Sequence, residues 1–129
     1  DRSIFAPDIR ERMAALERAT MSRKKRLNVA INYGGRAELV AAFNKLIASG
    51  KTNVTEADIE AALYTAGCPD PDIIVRTGAE MRLSNFLLWQ SAYSELYFTD
   101  TLWPDFTESE VDKIIADFKG RKRRYGAAE

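Results

Sequence analysis

Residues 72–102 read DIIVRTGAEMRLSNFLLWQSAYSELYFTDTL, and this stretch, the signature segment, decides the fold. It begins with Ile73-Ile74-Val75, an apolar, β-branched run too short for a helix, which predicts a strand buried on both faces. A second apolar run, Phe86 to Trp89, predicts a helix from Asn85 to Tyr93 with Ser84 as its N-cap. A strand that leads into a helix in this way indicates an α/β fold, with a parallel sheet flanked by helices.

Charged and hydroxyl side chains are concentrated where this strand leads into this helix. Arg76 ends the predicted strand and Arg82 precedes the predicted helix, and each guanidinium offers a planar set of donors that suits phosphate oxygens. Because ligands of open α/β sheets bind beyond the carboxyl ends of the strands, Arg76, Arg82 and Ser84 predict a diphosphate site. The alternative needs no ligand, since Glu80 could pair with both arginines in a solvated loop.

A second stretch of the chain also predicts a strand that leads into a helix. Residues 27–33, LNVAINY, alternate large apolar residues with small or amide ones, which predicts a strand that ends in the glycine turn, Gly34-Gly35-Arg36. A helix with an apolar stripe follows, and Gly50 is placed to be its C′ glycine. If the two predicted strands are parallel neighbours, Arg36 and Arg76 face the same edge of the sheet. A tight strand-to-helix turn without a ligand would explain the same glycines.

The rest of the chain predicts three more helices and one more strand. An amphipathic helix starts at Pro7, and capping boxes at Thr55 and Thr107 begin two others, the first of which should end near Gly67. Leu96-Tyr97-Phe98 is rich in strand formers. We therefore expect two or three parallel strands and about five helices, in one domain of ordinary size.

The composition argues against several classes of function. The chain has 19 basic and 19 acidic residues, so its net charge does not indicate a nucleic-acid partner. It has no apolar run long enough to predict a membrane span. Cys68 is the single cysteine, which fits a reducing compartment, and the chain has no histidine that could activate it as a nucleophile.

The signature segment also carries a family resemblance. RTGAEMRLSNFLLWQSAYSELYF, followed by WPDF, resembles the pattern R-T-x-G-E-x-R-x-S-N-F-L-L-W-Q of the cis-prenyltransferases, the family that includes undecaprenyl diphosphate synthase. NYGGR, upstream, resembles a second segment of that family in the same order. Ala79 departs from the pattern, which has glycine there, and this departure could cost the loop a conformation with positive φ. The resemblance covers nearly all of residues 1–129 and maps them onto the C-terminal part of a single catalytic domain, with the N-terminal half absent.

The resemblance implies a reaction and a set of site residues. The reaction is condensation of isopentenyl diphosphate with an allylic diphosphate, which forms a Z double bond at each step and releases pyrophosphate. The resemblance implies that Arg76, Arg82 and Ser84 hold isopentenyl diphosphate and that Glu95 helps to place Mg²⁺. The supporting residues are Glu80, Arg36 and Gly126.

The same resemblance implies a partner and an incomplete active site. The basic tail, residues 120–129, contains Gly126 and corresponds to a family tail that reaches the neighbouring subunit of a homodimer. The family's catalytic aspartate lies in an N-terminal loop that these residues lack, so we expect no catalytic residue here and no activity from this chain alone. The expected location is the cytoplasm, with peripheral contact at the inner membrane face. The alternatives are a non-catalytic partner subunit of a heteromeric cis-prenyltransferase and a generic phosphate-binding module.

Overall fold

A computed structural model of the chain describes residues 2–121, which divide into two units between Tyr33 and Gly34. The first unit contains helix α1 (Pro7–Thr20). The second contains, in chain order, α2 (Gly35–Ala48), α3 (Glu56–Ala62), β1 (Ile73–Arg76), β2 (Glu95–Phe98), a 3₁₀ helix (Trp103–Asp105) and α4 (Glu108–Gly120). Among the described residues, no helix is both long and apolar enough to cross a membrane.

In the first unit, α1 begins at Pro7 as predicted, and an ion pair joins Arg2 to Glu17 on the helix. The predicted strand at residues 27–33 is wrong, because no strand forms there. Leu27 is 87% exposed and Val29 is 69% exposed. A strand exists only where its backbone groups pair with a neighbouring strand, and alternation of residue types does not supply that neighbour.

In the second unit, β1 and β2 form a parallel pair whose register runs from Ile73 opposite Glu95 to Arg76 opposite Phe98. Both strands lie where the sequence predicts them. The prediction that β1 is buried on both faces is wrong, since Ile74 is buried but Val75 is 38% exposed. In the described part of the chain the sheet has only these two strands, so part of its surface meets solvent.

The core of the second unit lies between α2 and α3. Ala42 of α2 packs with Ile59, Ala62 and Leu63, and Trp89 of the signature segment packs against this cluster. The local signals in the sequence are confirmed: both capping boxes form and Gly50 has φ +79°. Helix α3 ends earlier than predicted because Leu63 leaves it with an extended backbone, at ψ 162°.

The predicted helix from Asn85 to Tyr93 is wrong. Turns occupy this stretch, and Ser84, Asn85 and Leu87 have φ values of 47°, 66° and 43°. A right-handed helix needs negative φ at every residue, so the backbone cannot coil here. Ser84 is therefore not a helix N-cap, and the described residues contain four α-helices instead of about five.

Candidate functional site

The ends of the two strands are joined by backbone hydrogen bonds. The N–H of Thr99 donates to the carbonyl of Arg76 at 3.0 Å, and the N–H of Ala79 donates to the carbonyl of Thr99 at 3.0 Å. The N–H of Gly78 donates to the carbonyl of Thr101 at 2.9 Å. The loop that follows β1 is thus held against the segment that follows β2, at the carboxyl edge of the sheet.

Two residues of this loop have left-handed backbones. Gly78 has φ +88° and Ala79 has φ +62°. The expectation that alanine at position 79 would cost the loop a positive-φ conformation is wrong, since Ala79 keeps that conformation. The left-handed backbone at these two residues accompanies their hydrogen bonds to Thr99 and Thr101, which keep the loop at the sheet edge.

Arg76 is half-buried at the end of β1. Its Nε atom is buried and has no hydrogen-bond partner among the described residues. A buried donor without a partner is destabilising by about 1–3 kcal/mol, and such atoms are rare in folded proteins. Arg76 therefore carries a binding capacity that this part of the chain does not use.

The other predicted anion ligands lie at the surface. Arg82 forms an ion pair with Glu80, and their side chains are 66% and 39% exposed. The ligand-free alternative is thus realised for Arg82, whereas no contact between Arg76 and Glu80 is found among the described ion pairs. Ser84 is exposed, beside Asn85 in the left-handed stretch. An exposed pair contributes little to stability, so an anion could displace Glu80 at small cost.

The glycine turn meets the signature segment, although not through neighbouring strands as predicted. The N–H of Gly35 donates to the carbonyl of Asn85 at 2.7 Å, and the N–H of Arg36 donates to Asn85 Oδ1 at 2.9 Å. A Cβ atom on Gly34 would lie 2.7 Å from Asn85 Nδ2, and one on Gly35 would lie 2.9 Å from Leu88 Cγ. Only glycine allows the two motifs to approach so closely.

Sequence reasoning missed a buried polar network next to this contact. Glu38 of α2 is 1% exposed and accepts hydrogen bonds from the Tyr64 N–H at 2.8 Å and from Gln90 Nε2 at 3.1 Å. Gln90 Nε2 also donates to Thr65 Oγ1 at 2.8 Å. An acid in the first turn of a helix is usually solvated, so Glu38 gave no signal of burial. The amide of Gln90, directly after the apolar run of residues 86–89, was the available signal.

Glu95, the predicted magnesium ligand, begins β2 and is paired with arginine. Arg121 Nη1 donates to Glu95 Oε2 at 2.8 Å, and the Arg121 guanidinium carbon lies 4.6 Å from the centre of the Tyr97 ring. Within residues 2–121, no three acidic, histidine or cysteine side chains converge on a metal-sized space. Mg²⁺ often binds through one or two carboxylates together with substrate phosphates. Glu95 lies opposite Ile73, at the other end of the strand pair from Arg76, and it does not form a metal site with protein ligands alone. Gly126 lies outside the described residues.

An open groove of about 400 Å³ lies beside α3 and the turn after it. Its walls include Ala57, Glu60, Leu63, Cys68 and Pro69. None of the residues that the sequence predicts for the diphosphate site lines it. The groove is therefore a separate surface feature, and Cys68 is one of its half-buried wall residues.

Comparisons with known proteins point in one direction. A family model described as "Putative undecaprenyl diphosphate synthase" matches residues 1–126. An isoprenyl transferase of Fusobacterium nucleatum is 52% identical over 122 residues, which make up 94% of this chain and 53% of that protein. An isoprenyl transferase of Heliobacterium mobile is 47% identical over 126 residues, covering 93% of this chain and 48% of that protein. The chain thus spans about half the length of the curated relatives it matches.

Two solved structures share the fold. A "probable undecaprenyl diphosphate synthase" from Campylobacter jejuni has a TM-score of 0.89 and 35% identity, and the match covers 98% of this chain and 60% of that one. Lavandulyl diphosphate synthase from Lavandula x intermedia, in complex with dimethylallyl diphosphate, has a TM-score of 0.92 and 33% identity, with 98% and 58% coverage. Because the family model covers nearly all of the chain and relatives near 50% identity cover more than nine tenths of it, the chain belongs to the undecaprenyl diphosphate synthase family, the cis-prenyltransferases that its signature segment resembles.

Proposed function

We propose that this chain supplies the isopentenyl diphosphate half of the active site of a cis-prenyl chain-elongating enzyme. The complete enzyme would condense isopentenyl diphosphate with an allylic diphosphate to give a Z-polyprenyl diphosphate, such as undecaprenyl diphosphate, and would release pyrophosphate. In this proposal the chain contributes binding and orientation. Its own residues hold one substrate at the carboxyl edge of the sheet while the allylic diphosphate binds elsewhere.

The observation that carries the proposal is the buried Nε of Arg76, which has no partner within residues 2–121. A guanidinium binds phosphate oxygens through parallel N–H donors, and a diphosphate at the end of β1 would satisfy this atom. Arg82 and Ser84 are exposed on the same loop and would complete the set of donors. Glu80 would then act as the exchangeable partner that keeps Arg82 near the site before substrate binds.

Charge neutralisation is the task that these side chains would perform. A diphosphate concentrates negative charge, and preorganised cationic donors stabilise that charge without reorganising solvent. Mg²⁺, when bound, would supply further positive charge to the diphosphate oxygens. The family resemblance makes Glu95 the residue of this chain that would hold it, although Glu95 begins β2 at the other end of the strand pair from Arg76. Arg121 would have to release Glu95 for this role, since the two side chains are paired.

The proposal includes an incomplete active site and a homodimer. The catalytic aspartate of the family would come from the half that these residues do not represent, so this chain alone should not turn over substrate. Arg36 would support the site from the start of α2, and Gly126 would do so from the neighbouring subunit. The same proposal places the enzyme in the cytoplasm, at the inner membrane face where its product is delivered.

Calorimetric titration with isopentenyl diphosphate and Mg²⁺ tests the half-site. We expect the wild-type chain to bind, and we expect Arg76→Ala to weaken binding by about ten- to hundredfold, the loss typical of hydrogen bonds to charged groups. Arg76→Lys keeps the charge but not the planar fork, so its affinity should fall between the two. Lys119→Ala, an exposed cation in the last turn of α4, is the matched control and should bind as wild type.

The outcomes separate the proposed function from its rivals. Equal affinities for the wild type and Arg76→Ala would contradict the half-site. A chain that binds no isopentenyl diphosphate but associates with a catalytic partner would be a non-catalytic subunit. Competition by ADP at comparable concentration would instead indicate a generic phosphate-binding module, because ADP shares the diphosphate but not the isopentenyl group.

A further inference from the structure

We infer that Asn85 is a positioning residue, which caps helix α2 from the signature segment and so holds the two family motifs in register around the diphosphate site. The inference rests on the proposed function for its ligand. Its structural basis is independent of that ligand, since it comes from the two hydrogen bonds between Asn85 and the glycine turn. Asn85 is not a catalytic residue, because nothing requires it to touch substrate.

Helix α2 has no cap of its own. The first N–H groups of any α-helix lack partners within the helix and are usually satisfied by a Ser, Thr, Asp or Asn side chain at the N-cap. The N-cap of α2 is Gly34, which has no side chain and makes no side-chain cap bond. Asn85 supplies acceptors for two of these groups: its backbone carbonyl accepts from the Gly35 N–H and its Oδ1 accepts from the Arg36 N–H.

Few residue types could fill position 85. Its φ is +66°, a conformation that asparagine, aspartate and glycine adopt with little strain. Of these three, glycine lacks the side-chain acceptor and aspartate adds a negative charge. Asparagine is therefore the neutral residue that meets both the backbone requirement and the hydrogen-bond requirement.

The capping contact also determines where the predicted ligands lie. Ser84 directly precedes Asn85 and has a left-handed backbone of its own, at φ +47°. Arg36 is joined to Asn85 through its backbone N–H, so its position depends on the same side chain. Gly34 and Gly35 leave space for this contact but for little else. Loss of the Asn85 amide should free both the start of α2 and the Ser84 loop, and should thereby weaken the diphosphate site.

The test compares three variants of the chain. Asn85→Gly keeps the left-handed backbone and removes Oδ1, whereas Asn85→Asp keeps an acceptor oxygen. Asn53→Gly is the control, since Asn53 is an exposed loop residue outside the site. Amide hydrogen exchange of Gly35 and Arg36, followed by NMR, measures whether the cap is intact. Calorimetry with isopentenyl diphosphate and Mg²⁺ measures the affinity of the diphosphate site.

We expect Arg36 N–H exchange in Asn85→Gly to be about three- to tenfold faster than in the wild type, the factor that one neutral hydrogen bond contributes. The dissociation constant of Asn85→Gly for isopentenyl diphosphate should rise by a similar factor. Asn85→Asp should restore slow exchange of the Arg36 N–H. If the Arg36 N–H exchange rate is unchanged in Asn85→Gly, or is not restored in Asn85→Asp, then Asn85 does not cap α2. Faster exchange with unchanged affinity would overturn the positioning role. If the wild type does not bind the ligand, the proposed function fails, and with it the positioning role, while exchange still decides the cap.

Discussion

Ala79 is a residue whose side chain and backbone are in conflict. Its φ of +62° places its Cβ close to the following carbonyl, which is destabilising by about 1–2 kcal/mol for a non-glycine residue. Ala79→Gly removes this strain. It also gives the unfolded chain more conformational freedom, which lowers the free energy of unfolding by about 0.4–1 kcal/mol. We therefore predict a net gain in the free energy of unfolding of about 0.5–1 kcal/mol, seen as a rise of about 2–4 °C in the midpoint of thermal unfolding by circular dichroism.

The control for this prediction is the same substitution at a position with an ordinary backbone. Ala116 is exposed in the middle of α4, where glycine lowers helix stability. Ala116→Gly should therefore lower the midpoint, because it adds flexibility without removing strain. A lower midpoint for both variants would mean that residue 79 is not strained in solution.

For single residues, the sequence predicted where the charged side chains lie more reliably than which side chains they contact. The concentration of charge at the end of β1 was visible in the order of residues, and Arg76 does lie there with a buried, unused donor. Partners were not predictable, since Glu80 could have paired with either arginine, and the structure pairs it with Arg82. Asn85 was missed because its role depends on Arg36, in a helix that lies 49 residues earlier in the chain.

Helix α3 is the element that depends most on its cap. It has only seven residues, too few to be stable by propensity alone, and its capping box joins Thr55 to Asp58. The Lys51 ammonium, together with the backbone N–H and hydroxyl of Thr55, lowers the pKa of Asp58 to about 2 from its ordinary value of 3.8. The charged carboxylate is thus the form that the folded helix favours.

The pH dependence of α3 follows from the direction of this shift. A carboxyl group with a lower pKa in the folded state stabilises the fold above its unfolded pKa, and that contribution is lost as the pH falls through the folded pKa. We predict that amide protection in α3 is constant above about pH 4 and decreases as the pH falls toward about 2. Hydrogen exchange across this range measures the effect. Asp58→Asn should remove the pH dependence, whereas Glu60→Gln, an exposed acid on the same helix, should keep it.

Elements were predictable where short-range chemistry determines them. Capping boxes and the C′ glycine are interactions within a few residues, so the starts of α3 and α4 and the end of α2 appear where they were expected. The predicted strand at residues 27–33 and the predicted helix at residues 85–93 failed for the opposite reason. The first depends on a neighbouring strand. The second is overridden by left-handed backbone at Ser84, Asn85 and Leu87, of which Asn85 binds the glycine turn.

The whole molecule leaves apolar surface uncovered in the part of the chain that the structure describes. On α2, Leu39, Ala42 and Leu46 lie on the side that packs with α3, whereas Val40 and Ile47 are 60% and 68% exposed. The sheet of the described residues has two strands, and two parallel strands rarely form an independent domain. The matched relatives are about twice as long as this chain.

We therefore predict that a separate polypeptide can cover this apolar surface. The part of the Fusobacterium nucleatum isoprenyl transferase that this chain does not match, made separately and mixed with it, should form a complex, because burial of apolar surface favours association. Light scattering should give the mass of the two halves, or of a pair of such units if the enzyme is a homodimer. Thermal unfolding of the chain should move to higher temperature in the mixture, since the partner binds only the folded state.

Turnover provides the decisive readout of this complementation. With radiolabelled isopentenyl diphosphate, an allylic diphosphate and Mg²⁺, we expect product from the mixture and none from either polypeptide alone, because the catalytic aspartate and the Arg76 site would lie on different chains. Arg76→Ala should lower turnover in the mixture by about tenfold or more without preventing assembly, whereas Lys119→Ala should not lower it. Product from this chain alone would contradict the division of the active site. Assembly without turnover would instead support a non-catalytic role for these residues, since the two halves would then fit together structurally without completing the chemistry.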